Sequence, residues 1–180
     1  MPINPENLLE LAERLVGEEP GALEDDLRRG VSTAYYALFH LLIKETTTSF
    51  LSDPILRARV GRAFQHGAMK AACEYYCNLA KQGRKTQPRI VEGEGSIARQ
   101  LAPEVAQIAA TFIELHDARE QADYDDAAIL EHSDALMRVQ RVRGAFQTWL
   151  IVQSDPSTVG FLQELLCRSI LSKRRTDAKP

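Results

Sequence analysis

The hydrophobic residues of this chain recur every three or four positions, which is the spacing of amphipathic helices. The clearest case is residues 27–44, LRRGVSTAYYALFHLLIK, where one side of a helical wheel is apolar. That side consists of Leu27, Val31, Ala34, Tyr35, Leu38, Leu41 and Leu42. The pattern predicts a helix from about Leu23 to Glu45 with a buried face, and the threonines at 46–48 predict its end.

The same helix carries a second ordered stripe on its opposite side. This stripe consists of Arg29, Thr33, Tyr36 and His40. Idle helix surfaces are usually rich in Lys and Glu, so an aromatic ring and an imidazole in one row indicate contact with a partner helix, a second copy of the chain or a ligand. We expect the stripe to lie at or near a homodimer interface. The alternative is a core helix whose opposite face is exposed to solvent and contacts nothing.

A second long helix is predicted to begin near residues 100–103 and to end at about Tyr124. Its apolar positions are Leu101, Val105, Ile108, Phe112 and Leu115, and the next position in this series is Arg119. Burying an unpaired guanidinium is costly, so Arg119 needs an anionic partner. Asp123 at i+4 is the expected ion-pair partner, with Glu120 and Asp117 as competitors.

Further helices are predicted by caps and prolines. Asn4-Pro5, Asp53-Pro54 and Asp155-Pro156 each combine a capping side chain with proline at the first helical position. Residues 54–82 are expected to form a helical region broken near Gly61 and Gly67. Asp125 or Asp126 is expected to cap a helix over 127–152, and the last helix is expected to end near Leu171. That helix over 127–152 is expected to bury Leu136, Val139, Phe146, Trp149 and Leu150.

These elements predict an all-α protein, an up-and-down bundle of five to seven helices. We expect one domain over residues 1–172 and a basic flexible tail over 173–180. The chain has no apolar run long enough for a membrane span and no secretory signal, so the expected location is the cytoplasm. The three cysteines, Cys73, Cys77 and Cys167, do not form a disulfide framework and are expected to be small buried residues.

Charge is distributed unevenly along the chain, although the net charge is only −3. Residues 57–89 contain eight Lys and Arg but one Glu, a net charge of +7. The segment includes the loop-like stretch 83–95, GRKTQPRIVEGEG. A basic strip on an acidic body can concentrate a phosphate backbone, and a solvated helix face with a flexible loop is the alternative. The expected RNA-binding residues are Arg59, Arg62, His66, Arg84, Lys85 and Arg89.

The segments AYYALFH at 34–40, preceded by Arg29, and LHDAREQADYDD at 115–126 together resemble the HEPN superfamily of small helical-bundle proteins. The resemblance is to stand-alone members with an SxAYYAxFH helix and a later RxxADYD segment. It implies a HEPN-like bundle that forms a dimer. Many such proteins are metal-independent ribonucleases with an R-x4–6-H motif in a composite cleft, and often they are toxins paired with a nucleotidyltransferase antitoxin.

Transferred onto this sequence, the family arginine is Arg119, and Tyr124 stands where R-x4-H would have histidine. Tyrosine is a poor base near neutral pH, which weakens the case for catalysis by that motif. His116 or His40 can supply the missing imidazole across the cleft, or each can be a structural histidine. The literal R-x6-H from Arg59 to His66 lies outside the helix in which the family keeps its motif.

Three function classes follow. The first is a dimeric HEPN protein that binds or cleaves RNA, with a toxin–antitoxin or defence system as its setting. The second is a catalytically inactive HEPN module that binds a nucleotide, an RNA or a partner such as a nucleotidyltransferase. The third is a structural interaction protein with Arg119 and Asp123 as an internal clasp. The carboxylates of Asp117, Asp123, Asp125 and Asp126 beside His116 are attributed to capping and pairing, so no metal and no cofactor are expected.

Overall fold

The computed structural model describes residues 3–82, 102–125, 127 and 129–177, with side chains only as far as Leu171. Seven α-helices occupy this part of the chain: α1 (Pro5–Val16), α2 (Glu24–Phe50), α3 (Pro54–Gly61), α4 (His66–Lys81), α5 (Pro103–Tyr124), α6 (His132–Val152) and α7 (Pro156–Asp177). No residue of these ranges is in a strand. The predicted all-α helical bundle is therefore confirmed.

Three helices begin at the predicted pairs of cap and proline. The side-chain carbonyl of Asn4 accepts a hydrogen bond from the Glu6 amide at 2.9 Å, which caps α1. The carboxylate of Asp53 caps α3 through the Ile55 amide at 2.8 Å, and that of Asp155 caps α7 through the Ser157 amide at 2.7 Å. In each case a side chain satisfies an amide that the helix itself leaves without an acceptor.

The chain forms two compact units, and the first comprises Met1–Leu41 and Thr111–Thr148. Its core contains most of the predicted apolar face of α2, together with Leu9 of α1 and Leu115 of α5, all buried. The Tyr35 ring lies 5.4 Å, centroid to centroid, from the ring of Phe112. Burial of these large side chains, each contributing roughly 1.5–3 kcal/mol, holds α2 against α5.

The second unit comprises Leu42–Ala110 and Trp149–Pro180. Within it α4 packs against α7, and the ring centroids of Tyr76 and Phe161 lie 5.1 Å apart. Gly160 permits this approach, since a Cβ there would lie 3.0 Å from the Tyr76 hydroxyl. α3 also belongs to this unit, and none of its residues is fully buried.

Three boundary predictions differ from the structure. α2 continues through the threonines to Phe50, because Thr46 and Thr47 are buried and the Thr47 hydroxyl donates to the Ile43 carbonyl at 2.8 Å. α6 begins at His132 instead of residue 127. The Asp125 carboxylate accepts from the Ala127 amide at 3.1 Å, and so forms a turn that precedes the helix.

The expected core of α6 is correct for Val139, Phe146 and Trp149, whereas Leu136 is half-buried and Leu150 is 68% exposed. Leu150 follows Trp149 directly, and adjacent helical positions point about 100° apart, so only one of the two faces the core. α7 extends to Asp177, past the expected end at Leu171. The single domain over 1–172 and the flexible tail over 173–180 stay predictions.

Candidate functional site

The Arg119 side chain forms the centre of a cluster at the carboxyl-terminal end of α5. Its Nε lies 2.8 Å from Oδ2 of Asp123, one helical turn further on. Its Nη2 donates to the Tyr36 hydroxyl of α2 at 3.3 Å. The guanidinium carbon lies 5.8 Å from the centroid of the Tyr36 ring and 5.4 Å from that of Tyr124. We call these four residues, Arg119, Tyr36, Asp123 and Tyr124, the Arg119 cluster.

The predicted burial and pairing of Arg119 are present, and the side chain is only 14% exposed. The contact with Asp123 is an ion pair and not an aligned hydrogen bond, because the buried Nε–H is without an acceptor in suitable geometry. The short distance establishes the charge pairing, whereas a hydrogen bond would also require the N–H to point at the oxygen. The guanidinium is held by charge, by Tyr36 and by two aromatic rings.

The protonation of Arg119 follows from these contacts. Burial lowers the pKa of the guanidinium, but the hydrogen bond from Arg119 to Tyr36 and the charge of Asp123 outweigh it, and the pKa lies above its usual value. The side chain therefore carries a full positive charge at any physiological pH. A fixed cation with a planar fork of donors is the group that proteins use for phosphate and carboxylate recognition.

Two residues outside the predicted site hold α2 against the end of α5. The Ser32 hydroxyl donates to Oδ1 of Asp123, the second carboxylate oxygen of the Arg119 partner. Arg28 Nη1 donates to the carbonyl oxygens of Ala122 at 3.1 Å and Asp125 at 2.9 Å. These are carbonyls of the last helical turn and the residue after it, which lack partners inside the helix. Arg28 therefore caps α5 with a side chain from α2.

Sequence reasoning assigned neither Ser32 nor Arg28 to the site. The available signal was their spacing, because Arg28, Ser32 and Tyr36 follow each other at i, i+4 and i+8 on one side of α2. Of the four residues in the predicted stripe, Tyr36 is the one that also lies in this row of 28, 32 and 36. Arg29 is exposed, and Thr33 and His40 are half-buried. The homodimer interface assigned to that stripe stays a prediction.

The two histidines proposed as sources of an imidazole each pack against an aromatic ring of α2. His116 is 6% exposed, packs edge-to-face on Tyr35 with centroids 5.8 Å apart, and points Nδ1 at Asp117 Oδ1 over 3.3 Å. His40 is half-buried edge-to-face against Phe39, and burial lowers its pKa. Within the described chain neither ring is hydrogen-bonded to Arg119. Their catalytic assignment stays a prediction.

The basic strip is described only in part. Arg59 and Arg62 are exposed at the end of α3, and His66 is the half-buried first residue of α4. Arg84, Lys85 and Arg89 lie outside the described residues. The neighbouring Arg57 differs from them, because its Nε donates to the Leu51 carbonyl at 2.6 Å and so fixes the start of α3.

One group of residues has the donors and spacing of a metal site. His116, Asp117 and Glu120 place one potential ligand atom each within 4.8 Å of one another. Asp123 pairs with Arg119 and the Asp125 carboxylate accepts from Ala127, as expected for carboxylates engaged in pairing and turns. Asp126 lies outside the described residues.

The cysteines are free thiols. Cys73 is buried on α4, while Cys77 and Cys167 are half-buried. Burial raises the pKa of Cys73 and of Cys77, which keeps both thiols protonated at neutral pH.

No protein-family model, no curated protein and no solved structure matches this chain. The HEPN resemblance therefore rests on the segments at 34–40 and 115–126. Among the described helices, none combines the length and apolar character needed to cross a bilayer.

Proposed function

We propose that this chain is a HEPN-type module that binds single-stranded RNA and holds one of its phosphates at Arg119. The observation that carries the proposal is the Arg119 guanidinium itself. Its aligned protein acceptor in the described structure is the Tyr36 hydroxyl, and its buried Nε–H has none. The Nε–H lies against the Asp123 carboxylate, so the guanidinium can offer a phosphate only its Nη donors, and phosphate oxygens supply acceptors in that geometry.

The meeting of the two HEPN-like segments supports the same proposal. Tyr36 and Arg119 are 83 residues apart in sequence and share a hydrogen bond, and Ser32 and Asp123 are 91 residues apart and share another. The first pair joins the segments at 34–40 and 115–126, and in the second pair Ser32 is the serine of the SxAYYAxFH pattern. Tyr124, a residue that is 74% exposed, adds an aromatic ring beside the cation, and a base can stack on this ring.

Binding without cleavage is the activity we favour. Cleavage of RNA requires a group that takes the 2′-hydroxyl proton, and Tyr124 replaces the histidine that the family motif places there. His116 points Nδ1 at Asp117, and His40 packs against Phe39. The second candidate is a ribonuclease in which another copy of the chain supplies the imidazole.

The experiment is a comparison of Arg119→Lys with wild type in an RNA-binding assay by fluorescence anisotropy. Lysine keeps the charge beside Asp123, so the fold survives, but it lacks the two-pronged donor geometry. We expect RNA affinity to fall by about tenfold, the equivalent of roughly 1.4 kcal/mol. Gel analysis of the same RNA reports cleavage.

The matched control is Arg141→Lys, an arginine of the same unit that is also paired with a carboxylate, Glu114. This variant is expected to bind RNA like wild type. Equal affinity for wild type and Arg119→Lys would favour the structural alternative, in which the Arg119 cluster is an internal clasp between α2 and α5. Cleavage that disappears with Arg119→Lys would establish the ribonuclease.

In this proposal the protein acts as a homodimer in the cytoplasm. Arg29 is exposed on the stripe of α2 and half-buried Thr33 lies one turn further along it, so Arg29→Glu combined with Thr33→Glu would place like charges across a two-fold interface. Light scattering is expected to give a dimer for wild type and a monomer for this variant. Arg14→Glu, an exposed arginine of α1, is the control that stays dimeric. A wild-type monomer at micromolar concentration would contradict the composite cleft.

A nucleotidyltransferase as partner protein belongs to this proposal only through the resemblance. Co-purification of the two proteins after co-expression is its test. A protein partner of this kind would also fit the catalytically inactive module.

A further inference from the structure

The fifth helix carries a second chemical group, one turn before Arg119, which the RNA proposal does not use. His116 is 6% exposed, whereas the side chains of Asp117 and Glu120 beside it are 57% and 55% exposed. The imidazole Nδ1 lies 3.3 Å from Asp117 Oδ1 and 3.9 Å from Glu120 Oε2. A buried ring thus directs a nitrogen outward, to the two carboxylates.

The position of the imidazole is fixed by packing. Its ring stands edge-to-face on the buried ring of Tyr35, with centroids 5.8 Å apart. This packing fixes the plane of the ring, and in the structure Nδ1 is the ring nitrogen on the side of the two carboxylates. Glu120 lies one helical turn after His116, the i and i+4 spacing that places two side chains side by side on a helix. Asp117 approaches the same nitrogen from the next position along the chain.

The distances suit a metal ion of ordinary size. Ligands about 2.1 Å from a tetrahedral Zn²⁺ lie about 3.4 Å from one another, close to the separation of Nδ1 and Asp117 Oδ1. The three donor atoms already lie within 4.8 Å of one another. Glu120 is long and half-exposed, so a rotation of its side chain closes the remaining gap. One nitrogen and two carboxylate oxygens are a donor set that Zn²⁺ and Mn²⁺ accept, whereas Mg²⁺ prefers oxygen alone.

Electrostatics favour a cation at this place. The Asp117 and Glu120 side chains both carry a carboxylate, and a divalent cation between them attracts both. The unit that contains them has sixteen Asp and Glu against seven Lys and Arg, a net charge of −9. An excess of negative charge raises the local concentration of cations near the unit.

We propose that His116, Asp117 and Glu120 form a binding site for a divalent transition-metal ion, with Zn²⁺ as the preferred ion and water completing its coordination. The site is separate from the phosphate contact of Arg119, whose guanidinium is turned to Asp123 and Tyr36. It does not depend on RNA binding. It also differs from the expectation of a metal-free protein drawn from the sequence.

The test is calorimetric titration of the untagged full chain with Zn²⁺ in the absence of RNA. Wild type is expected to bind one ion, and Glu120→Gln and Asp117→Asn are each expected to weaken binding by at least about tenfold. Both positions are exposed, so these variants fold even if His116→Gln does not. Glu104→Gln, an exposed carboxylate in the first turn of α5, is the control that binds like wild type.

Cobalt identifies the ligand atoms. Co²⁺ bound by nitrogen and oxygen gives visible absorption without a sulfur-to-metal charge-transfer band, which distinguishes this site from the thiols of Cys77 and Cys167. Three results would overturn the proposal: no saturable Zn²⁺ binding, binding that Glu120→Gln leaves unchanged, or a sulfur band that follows the bound Co²⁺. Because RNA is absent, failure of the RNA proposal leaves these measurements unaffected.

Discussion

Arg119 occupies a position on α5 that the apolar spacing would otherwise fill with a core side chain. Its neighbours in that series, Val105, Ile108, Phe112 and Leu115, are fully buried. The cost of partial burial is offset by the ion pair with Asp123 and by the Tyr36 hydroxyl. An apolar side chain would pack here without such contacts. The proposed recognition of an anion would account for an arginine at this position.

The contacts of Arg119 show what sequence can predict at the scale of single residues. Asp123 was identifiable because it lies four positions away on the same helix, where geometry is fixed by the helical repeat. Ser32 and Arg28 were not identifiable, because they bond to residues at the end of another helix. The bonded partners, Asp123, Ala122 and Asp125, lie 91 to 97 residues further along the sequence. Such contacts depend on how α2 and α5 pack. Helical periodicity gives the face of a helix but not the rotation of its partner.

His40 gives the fold a dependence on pH. Burial lowers its pKa below the usual 6.5, so the folded chain resists protonation of this ring while the unfolded chain does not. The unfolded state therefore binds more protons below pH 6.5, and the free energy of unfolding falls as the pH drops through that value. At pH 8 the ring is neutral in both states and has no such effect. His40→Gln is expected to flatten this part of the stability profile.

Urea unfolding of wild type and His40→Gln from pH 8 to pH 5 measures the effect. The substitution also changes packing, which adds a constant difference at every pH. The expected result is a gap between the two profiles that changes only below about pH 7, in favour of the variant. Profiles that stay parallel down to pH 5 would show that His40 titrates alike in the folded and unfolded chains.

At the scale of helices, the sequence predicts the starts better than the ends. α1, α3 and α7 begin where a capping side chain precedes proline, and both signals act locally. The end of α2 depends on burial of Thr46 and Thr47, which overcomes the poor helix propensity of threonine. The start of α6 depends on the turn made by Asp125. The first boundary is decided by surroundings that no local pattern contains, whereas the second is set by a local turn that replaces the helix start expected at residue 127.

Gly30 sets the approach of α1 to α2. A Cβ at this position would lie 2.5 Å from Val16 Cγ2 and 3.4 Å from the Ala12 carbonyl oxygen, both on α1. Real carbon atoms do not approach so closely, so Gly30→Ala requires the buried Val16 side chain, or α1 with it, to shift. We expect a loss of about 1–3 kcal/mol in the free energy of unfolding. Chemical denaturation of the full chain measures this change.

Gly144 of α6 is the matched control for Gly30, because a Cβ there would meet no atom within 4 Å. Alanine stabilises a helix interior relative to glycine by roughly 0.5–1 kcal/mol when nothing obstructs it. Gly144→Ala is therefore expected to raise stability, opposite in sign to Gly30→Ala. If both variants gained stability, the contact between α1 and α2 would be looser than the structure shows.

At the scale of the whole molecule, charge divides along the two compact units. The first has a net charge of −9, and the second has fifteen Lys and Arg against nine Asp and Glu, a net charge of +6. The sequence alone shows the basic strip at 57–89. It does not show that this strip belongs to the same compact unit as the segment 149–180, which is also basic. Segments 149–180 and 42–110 come together only through folding. Under the proposed function, the basic second unit would attract further phosphates of the RNA of which Arg119 holds one.

Two arginines of the basic strip, Arg59 and Arg62, lie within the described residues and are exposed. If each contacts a phosphate, replacing both by glutamate is expected to reduce the slope of log affinity against log salt by about 0.7 for each phosphate that is no longer neutralised. The fold is expected to survive, because α3 contains no fully buried residue. RNA affinity between about 50 and 200 mM salt measures the slope, and Arg14→Glu in the acidic unit is the control. An unchanged slope in Arg59→Glu/Arg62→Glu would mean that α3 is a solvated surface, and that RNA neutralises its phosphates elsewhere on the chain.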